Sequence, residues 1–188
     1  MYGKLPKPFF VLAPMDDVTD TVFRQMVHAT APADLYMTEF VNVDGLMSVG
    51  RQNLLKKLLF REHEGALIAQ LWGLVPDNFE EIARQIADGT IARELGLPNG
   101  VNFVGIDLNM GCPAKSEVKN GACAALIKNR PLAAEIIQAT KRGAGSLPVS
   151  VKTRLGFSDV ELGWHEFLLQ QDVTMLTIHG RRPLTYFW

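Results

Sequence analysis

The stretch FVGIDLNMGCPAKSEVKNGACAALIKN, residues 103–129, decides the reading of this chain. Phe103, Val104 and Ile106 suit a buried parallel strand, and Asp107, Leu108 and Asn109 end it with polar groups, where an α/β protein places its chemistry. Cys112 follows in the exit loop. Gly111 before it permits close approach of backbone to a ligand, and Pro113 after it restricts Cys112 to extended conformations, so the thiol is held at a set angle. Beyond the loop, residues 121–128 read as a small-residue helix able to pack close to it.

Working outward, strand and helix patterns alternate. Residues 9–13 read as strand one, ending at Pro14 and Met15. Thr19 or Asp20 caps the next helix, whose apolar face is Val22, Phe23, Met26 and Val27. Strand two is 35–40, a long loop plus helix fills 44–60, and strand three is 66–71, carrying Gln70. Pro76 opens an amphipathic helix with Phe79, Ile82, Ala83 and Ile86 on one face. After the quoted stretch, Pro131 starts a helix that Gly143 and Gly145 end. Residues 149–152 form strand five, 161–171 a helix, and 175–179 strand six.

Near-continuous apolar strands joined by helices imply a parallel sheet with right-handed crossovers. A doubly wound sheet would show GxGxxG after strand one, where this chain has Pro14-Met15. The expected fold is therefore α/β, a TIM (β/α)8-type barrel truncated after about six β/α units, as one domain over residues 1–188.

Composition bounds the partners. With 47% hydrophobic and 21% charged residues the chain is an ordinary globular sequence, and a formal charge of −1 gives no global electrostatic case for nucleic-acid binding. Any RNA contact must be local. Two cysteines, no secretory signal pattern and no apolar run of about 18 residues predict a reduced, cytoplasmic protein that does not span a membrane.

Met15, Gln70, Asn109, Cys112, Lys152, Arg154 and His179 all fall at or just beyond strand C-termini, the face on which barrel active sites are built. Each alone has a bland reading: an isolated cysteine is usually a small buried hydrophobe, and an isolated histidine a satisfied core residue. Convergence from several strands on one mouth favours function. Lys152, inside an apolar strand, requires an anionic or acceptor partner. Cys123, among alanines, reads as packing, and a Cys112–Cys123 disulfide is disfavoured by the reducing setting. Lys115, Lys119, Lys128 and Arg130 either solvate a loop or hold phosphates.

Asn109-Met110-Gly111-Cys112-Pro113, with Lys115 and Gly121-Ala122-Cys123-Ala124-Ala125-Leu126, resembles the signature of the tRNA-dihydrouridine synthases. Ala13-Pro14-Met15 through Val18-Thr19-Asp20 with Phe23-Arg24, then Val151–Gly156, then Ile178-His179-Gly180-Arg181, resemble that family in the same order. Asp16-Asp17 and Cys123 depart from its usual small residue and glycines. The resemblance implies an FMN enzyme that uses NADPH to reduce uridine in tRNA to 5,6-dihydrouridine. Hydride passes to C6 of the uracil and Cys112 donates a proton to C5. By the same resemblance Lys152 holds the flavin N1–C2=O region, Gln70, Pro14, Met15 and His179 contact the flavin, and Asn109 and Arg154 hold the base. No metal ligand is implied. The target nucleotide must be flipped out of the stack. Family members are longer, with two further barrel strands and a helical tRNA-binding domain, so this chain is expected to present an open barrel edge and to self-associate through it. Two other readings are another FMN-dependent barrel oxidoreductase acting on a small molecule, and a non-catalytic fragment.

Overall fold

The computed structural model describes residues 5–181. Six parallel strands form one sheet in sequence order: β1 (Val11–Leu12), β2 (Leu35–Asn42), β3 (Leu67–Trp72), β4 (Gly105–Met110), β5 (Val149–Arg154) and β6 (Leu176–His179). Every strand lies beside its sequence neighbour and no strand order reverses. This is the arrangement of six successive units of a (β/α)8-type barrel and not that of a doubly wound sheet.

The sheet separates two apolar layers. Leu67, Ala69, Leu71, Ile106, Leu108, Val149 and Val151 point into the large core shared with the helices. Leu35, Met37 and Ile68 form a smaller cluster on the opposite face with Val11, Val104 and Met175. Because side chains alternate along a strand, Gln70, Asp107, Asn109, Ser150 and Lys152 share that second, inner face and stack above its apolar base.

The helix Pro76–Ala87, with proline in its first turn, packs against the helix Arg130–Ala144, where Asn129 Oδ1 caps Leu132 N at 3.3 Å. Gly143 does not end this second helix, as its sequence suggested. A Cβ there would lie 2.0 Å from Glu80 O, so Gly143 is the point of closest helix contact, and the helix stops at Gly145.

Four other expectations are corrected. The paired part of β1 is only Val11–Leu12: among the described residues it has one neighbour, and Phe10 N bonds the Asp34 side chain at 2.7 Å instead of a strand. Strand four starts at Gly105 and runs on to Met110, so Phe103 and Val104 precede it while Asp107 and Asn109 lie within it. The expected helix over 121–128 is a 3-10 helix, Cys123–Lys128, rather than an α-helix, entered through Cys123 at φ +53°, and a short α-helix at Lys115–Lys119 precedes it. In the helix Thr21–Thr30, capped by Asp20 Oδ1 to Phe23 N at 2.8 Å, the expected apolar positions Val22 and Met26 are exposed and Arg24 is buried.

Arg24 is buried because its charge is met. Its Nε donates to Glu64 Oε2 at 2.8 Å, Nη1 to Thr19 O at 2.6 Å and Nη2 to Leu59 O at 2.7 Å. Glu64 also accepts from Arg61 N at 2.7 Å and from the Thr21 hydroxyl. This fully buried pair fastens the loop that leaves β1.

Candidate active site

A cavity of about 490 Å³ opens at the C-terminal ends of the strands. Pro14 and Met15 come from the β1 exit, Gln70 from β3, Asn109 and Cys112 from β4 and its loop, Lys152 and Arg154 from β5, and His179 from β6. These eight residues, all singled out from sequence, therefore line one cavity, whereas Lys115, Lys119, Lys128 and Arg130 are not among its lining. Phe40 and Ile178 add apolar wall.

The cysteine loop is held from below. Asn109 Oδ1 accepts from Gly111 N at 3.1 Å and Cys112 N at 2.9 Å, an Asx turn that fixes the loop's entry. Arg154 Nε donates to Gly111 O at 2.5 Å, and His165 Nε2 meets Arg154 O at 2.9 Å. Thr153 Oγ1 donates to Met110 O at 2.8 Å while accepting from Trp164 Nε1 at 2.9 Å. Asn109 and Arg154 thus spend polar groups on the loop itself. Gly111 also lets the loop approach β5 closely, since a Cβ there would meet the Thr153 backbone at 3.0 Å.

Beneath the floor, Asp107 is fully buried. Its Oδ1 accepts from Ser150 Oγ at 2.6 Å and its Oδ2 from Gln70 Nε2 at 2.7 Å, while Gln70 Oε1 accepts from Asn109 Nδ2 at 3.3 Å. Burial pushes the Asp107 carboxyl up to about 6, against the pull of Ser150, Gln70 and the Lys152 charge. Sequence reasoning gave neither Asp107 nor Ser150 a role. Counting back two residues from Asn109 and from Lys152 finds both.

Lys152 is expected to need an anionic or acceptor partner, and the charge of Asp107 acts on it. Among the described residues it makes no hydrogen bond, and burial lowers its pKa, with Arg154 adding to the fall and the charges of Asp107 and Cys112 opposing it. Burial likewise lowers the pKa of His179, reinforced by Arg154, Lys152 and Arg181, so its imidazole is neutral at pH 7. The Cys112 thiol is more acidic than an ordinary cysteine. A hydrogen bond from the Cys123 thiol brings it down to about 7 against the effect of burial, with the Ala114 amide and Arg154 assisting. The cost falls on Cys123, whose own pKa is driven up by that bond and by burial.

Next in the chain to the cavity residues Met15 and Phe40, Asp16, Asp17 and Glu39 bring carboxylates together, and Lys57 Nζ lies 2.5, 3.2 and 3.2 Å from them. Burial works against the Lys57 charge, yet the bonds to Asp16, Glu39 and Asp17 raise its pKa above the ordinary lysine value. An ammonium occupies the centre of this acidic group.

The profile of the family described as Dihydrouridine synthase (Dus) matches residues 11–187. A Staphylococcus aureus protein named "Probable tRNA-dihydrouridine synthase" is 43% identical over 183 residues, covering 96% of this chain and 52% of that protein. "Probable tRNA-dihydrouridine synthase 2" of Bacillus subtilis is 44% identical over 184 residues, with the same coverage of each chain. The chain spans about half the length of the curated relatives it matches.

Proposed function

The chain belongs to the dihydrouridine synthase family, and from that premise we propose that its cavity is the flavin and uracil site of an enzyme reducing uridine in tRNA to 5,6-dihydrouridine, with FMN as cofactor and NADPH as reductant. The barrel domain of residues 1–188 is the unit that carries this site. The observation that supports the reading best is the convergence of Gln70, Cys112, Lys152, Arg154 and His179, from four strands, on one cavity.

The residues present fit an isoalloxazine. Lys152 is a half-buried cation without a hydrogen-bond partner among the described residues, set to receive an electron-rich N1–C2=O edge. Pro14 and Met15 offer an apolar wall for a ring, and neutral His179 and the Gln70 amide offer polar contacts. When bound, FMN supplies hydride chemistry that no side chain possesses.

Cys112 then serves as the acid for C5 of the uracil. It must be protonated to donate, and with a pKa of about 7 both forms are present at neutral pH, while the Cys123 hydrogen bond stabilises the thiolate left behind. Asn109 and Arg154 keep the thiol at a fixed height over the cavity, and their donors not bonded among the described residues can meet the edge of the base. The uracil reaches this cavity only if its nucleotide leaves the tRNA stack. Exposed Lys115 and Lys119, beside the cysteine loop, suit phosphate contacts.

A cytoplasmic setting agrees with two free thiols, and no helix among the described residues is long and apolar enough to cross a membrane. The sheet edges β1 and β6 and the exposed Phe10, Val22, Met26 and Ile178 suit self-association, which the mass of the chain in solution tests. The function itself is tested by incubating the native protein carrying this chain with FMN, NADPH and unmodified tRNA, then digesting the tRNA and looking for the two-hydrogen mass gain on uridine. Turnover of free uridine that tRNA does not compete with would favour a small-molecule oxidoreductase instead.

A further inference from the structure

One run of hydrogen bonds under the cavity has a single direction. Gly111 N and Cys112 N donate to Asn109 Oδ1, Asn109 Nδ2 to Gln70 Oε1, and Gln70 Nε2 to Asp107 Oδ2. An amide has a donor end and an acceptor end, so it could sit either way round, whereas an ionised carboxylate only accepts. The run is therefore polarised from its buried end. Asp107 is also the carboxylate whose charge acts on Lys152, one layer above it on the neighbouring strand.

We propose that Asp107 is a positioning residue for the site: its carboxylate, fixed by Ser150, sets which way the Gln70 and Asn109 amides face and supplies the counter-charge that keeps Lys152 cationic. The role in catalysis rests on the flavin reading of the cavity, but the effect on Lys152 is a property of the protein alone. Lys152 lies in a site whose other charged neighbours, Arg154 and Cys112, pull in opposite senses. Without Asp107, burial and Arg154 would face only the thiolate form of Cys112, and the ammonium would lose its proton more readily.

Asp107→Asn separates charge from orientation. The new carboxamide oxygen still accepts from Gln70, and its amide still meets Ser150 Oγ, whose proton turns to Ile106 O, already 3.4 Å away. The measurement is lysine-selective NMR titration of the whole protein, together with amine labelling of Lys152 read by peptide mass. Asp107→Asn should lower the Lys152 pKa by about one unit and raise its labelling near neutral pH roughly tenfold, with other lysines unmoved. An unchanged Lys152 in a protein that still unfolds cooperatively overturns the inference.

Should Asp107→Asn fail to fold, the unsubstituted protein and Ser150→Ala answer instead. The Lys152 signal should show an inflection near pH 6, where Asp107 titrates, and Ser150→Ala, which removes a donor to the carboxylate, should move it upward. An inflection belonging to His179 would stay in place and would also overturn the inference. A protein whose Lys152 responds to Asp107→Asn but which never reduces tRNA uridine removes the functional reading alone. One that reduces uridine with an unresponsive Lys152 removes this inference alone.

Discussion

Ala124 N, the amide after Cys123, bonds Cys112 O at 3.2 Å, and the buried Cys123 side chain lowers the pKa of the Cys112 thiol. The two cysteines, eleven positions apart, are thus neighbours through both side chain and backbone. Cys123→Ala should raise the Cys112 pKa from about 7 toward the ordinary thiol range of about 8.5. The rate of alkylation at pH 7 should fall several-fold, and a pH series with iodoacetamide and peptide mass analysis would show it.

Cys112→Ala should leave FMN bound and reducible by NADPH while cutting dihydrouridine formation by roughly 10²–10⁴-fold, the scale of a lost general acid. The sign of the pH dependence follows from the role. A donor must hold its proton, so single-turnover reduction should decline as pH rises through about 7, and in Cys123→Ala the decline should shift to higher pH.

Arg24 and Glu64 form an ion pair with no exposed side-chain surface. Arg24→Met alone leaves a buried carboxylate uncompensated and should cost roughly 3–5 kcal/mol in urea unfolding. The double change Arg24→Met with Glu64→Leu should cost less than either single change, because no lone charge remains inside.

Gly111→Ala places a methyl 3.0 Å from the Thr153 main chain, which cannot rotate away. The loop should lift off β5, lengthening the bond from Arg154 to Gly111 O, with a loss of about 1–3 kcal/mol in stability. A changed Cys112 alkylation rate checks the first effect, and thermal unfolding checks the second.

The strand order and the cavity's lining were legible because both follow from short-range regularities: apolar runs mark the strands, and polar residues at their C-terminal ends meet at a barrel mouth. Arg24 shows what was not. It was not among the buried positions read for its helix, since the carboxylate that makes its burial tolerable, Glu64, lies forty residues away and carries no mark of the pairing. Cys123 was read as packing because its left-handed backbone, which turns the thiol toward Cys112, has no signature in a run of alanines. Asp107 was visible as a residue but not as a buried one, for the strand runs one layer further than its apolar residues alone suggest.

Strands have a two-residue period, so sliding β4 by two positions past β3 would return every apolar side chain to the face it started from. Hydrophobic patterning is blind to that error. The layer formed by Gln70, Asp107 and Ser150 is not. A slip one way sets Asp107 beside Ile68 instead of Gln70, and a slip the other way sets Gln70 beside Gly105 with its acceptor gone. Either leaves buried polar groups unpaired at a cost of several kcal/mol. These three side chains therefore act as a vernier for the folding sheet, admitting one alignment among several that its greasy surfaces would accept equally well.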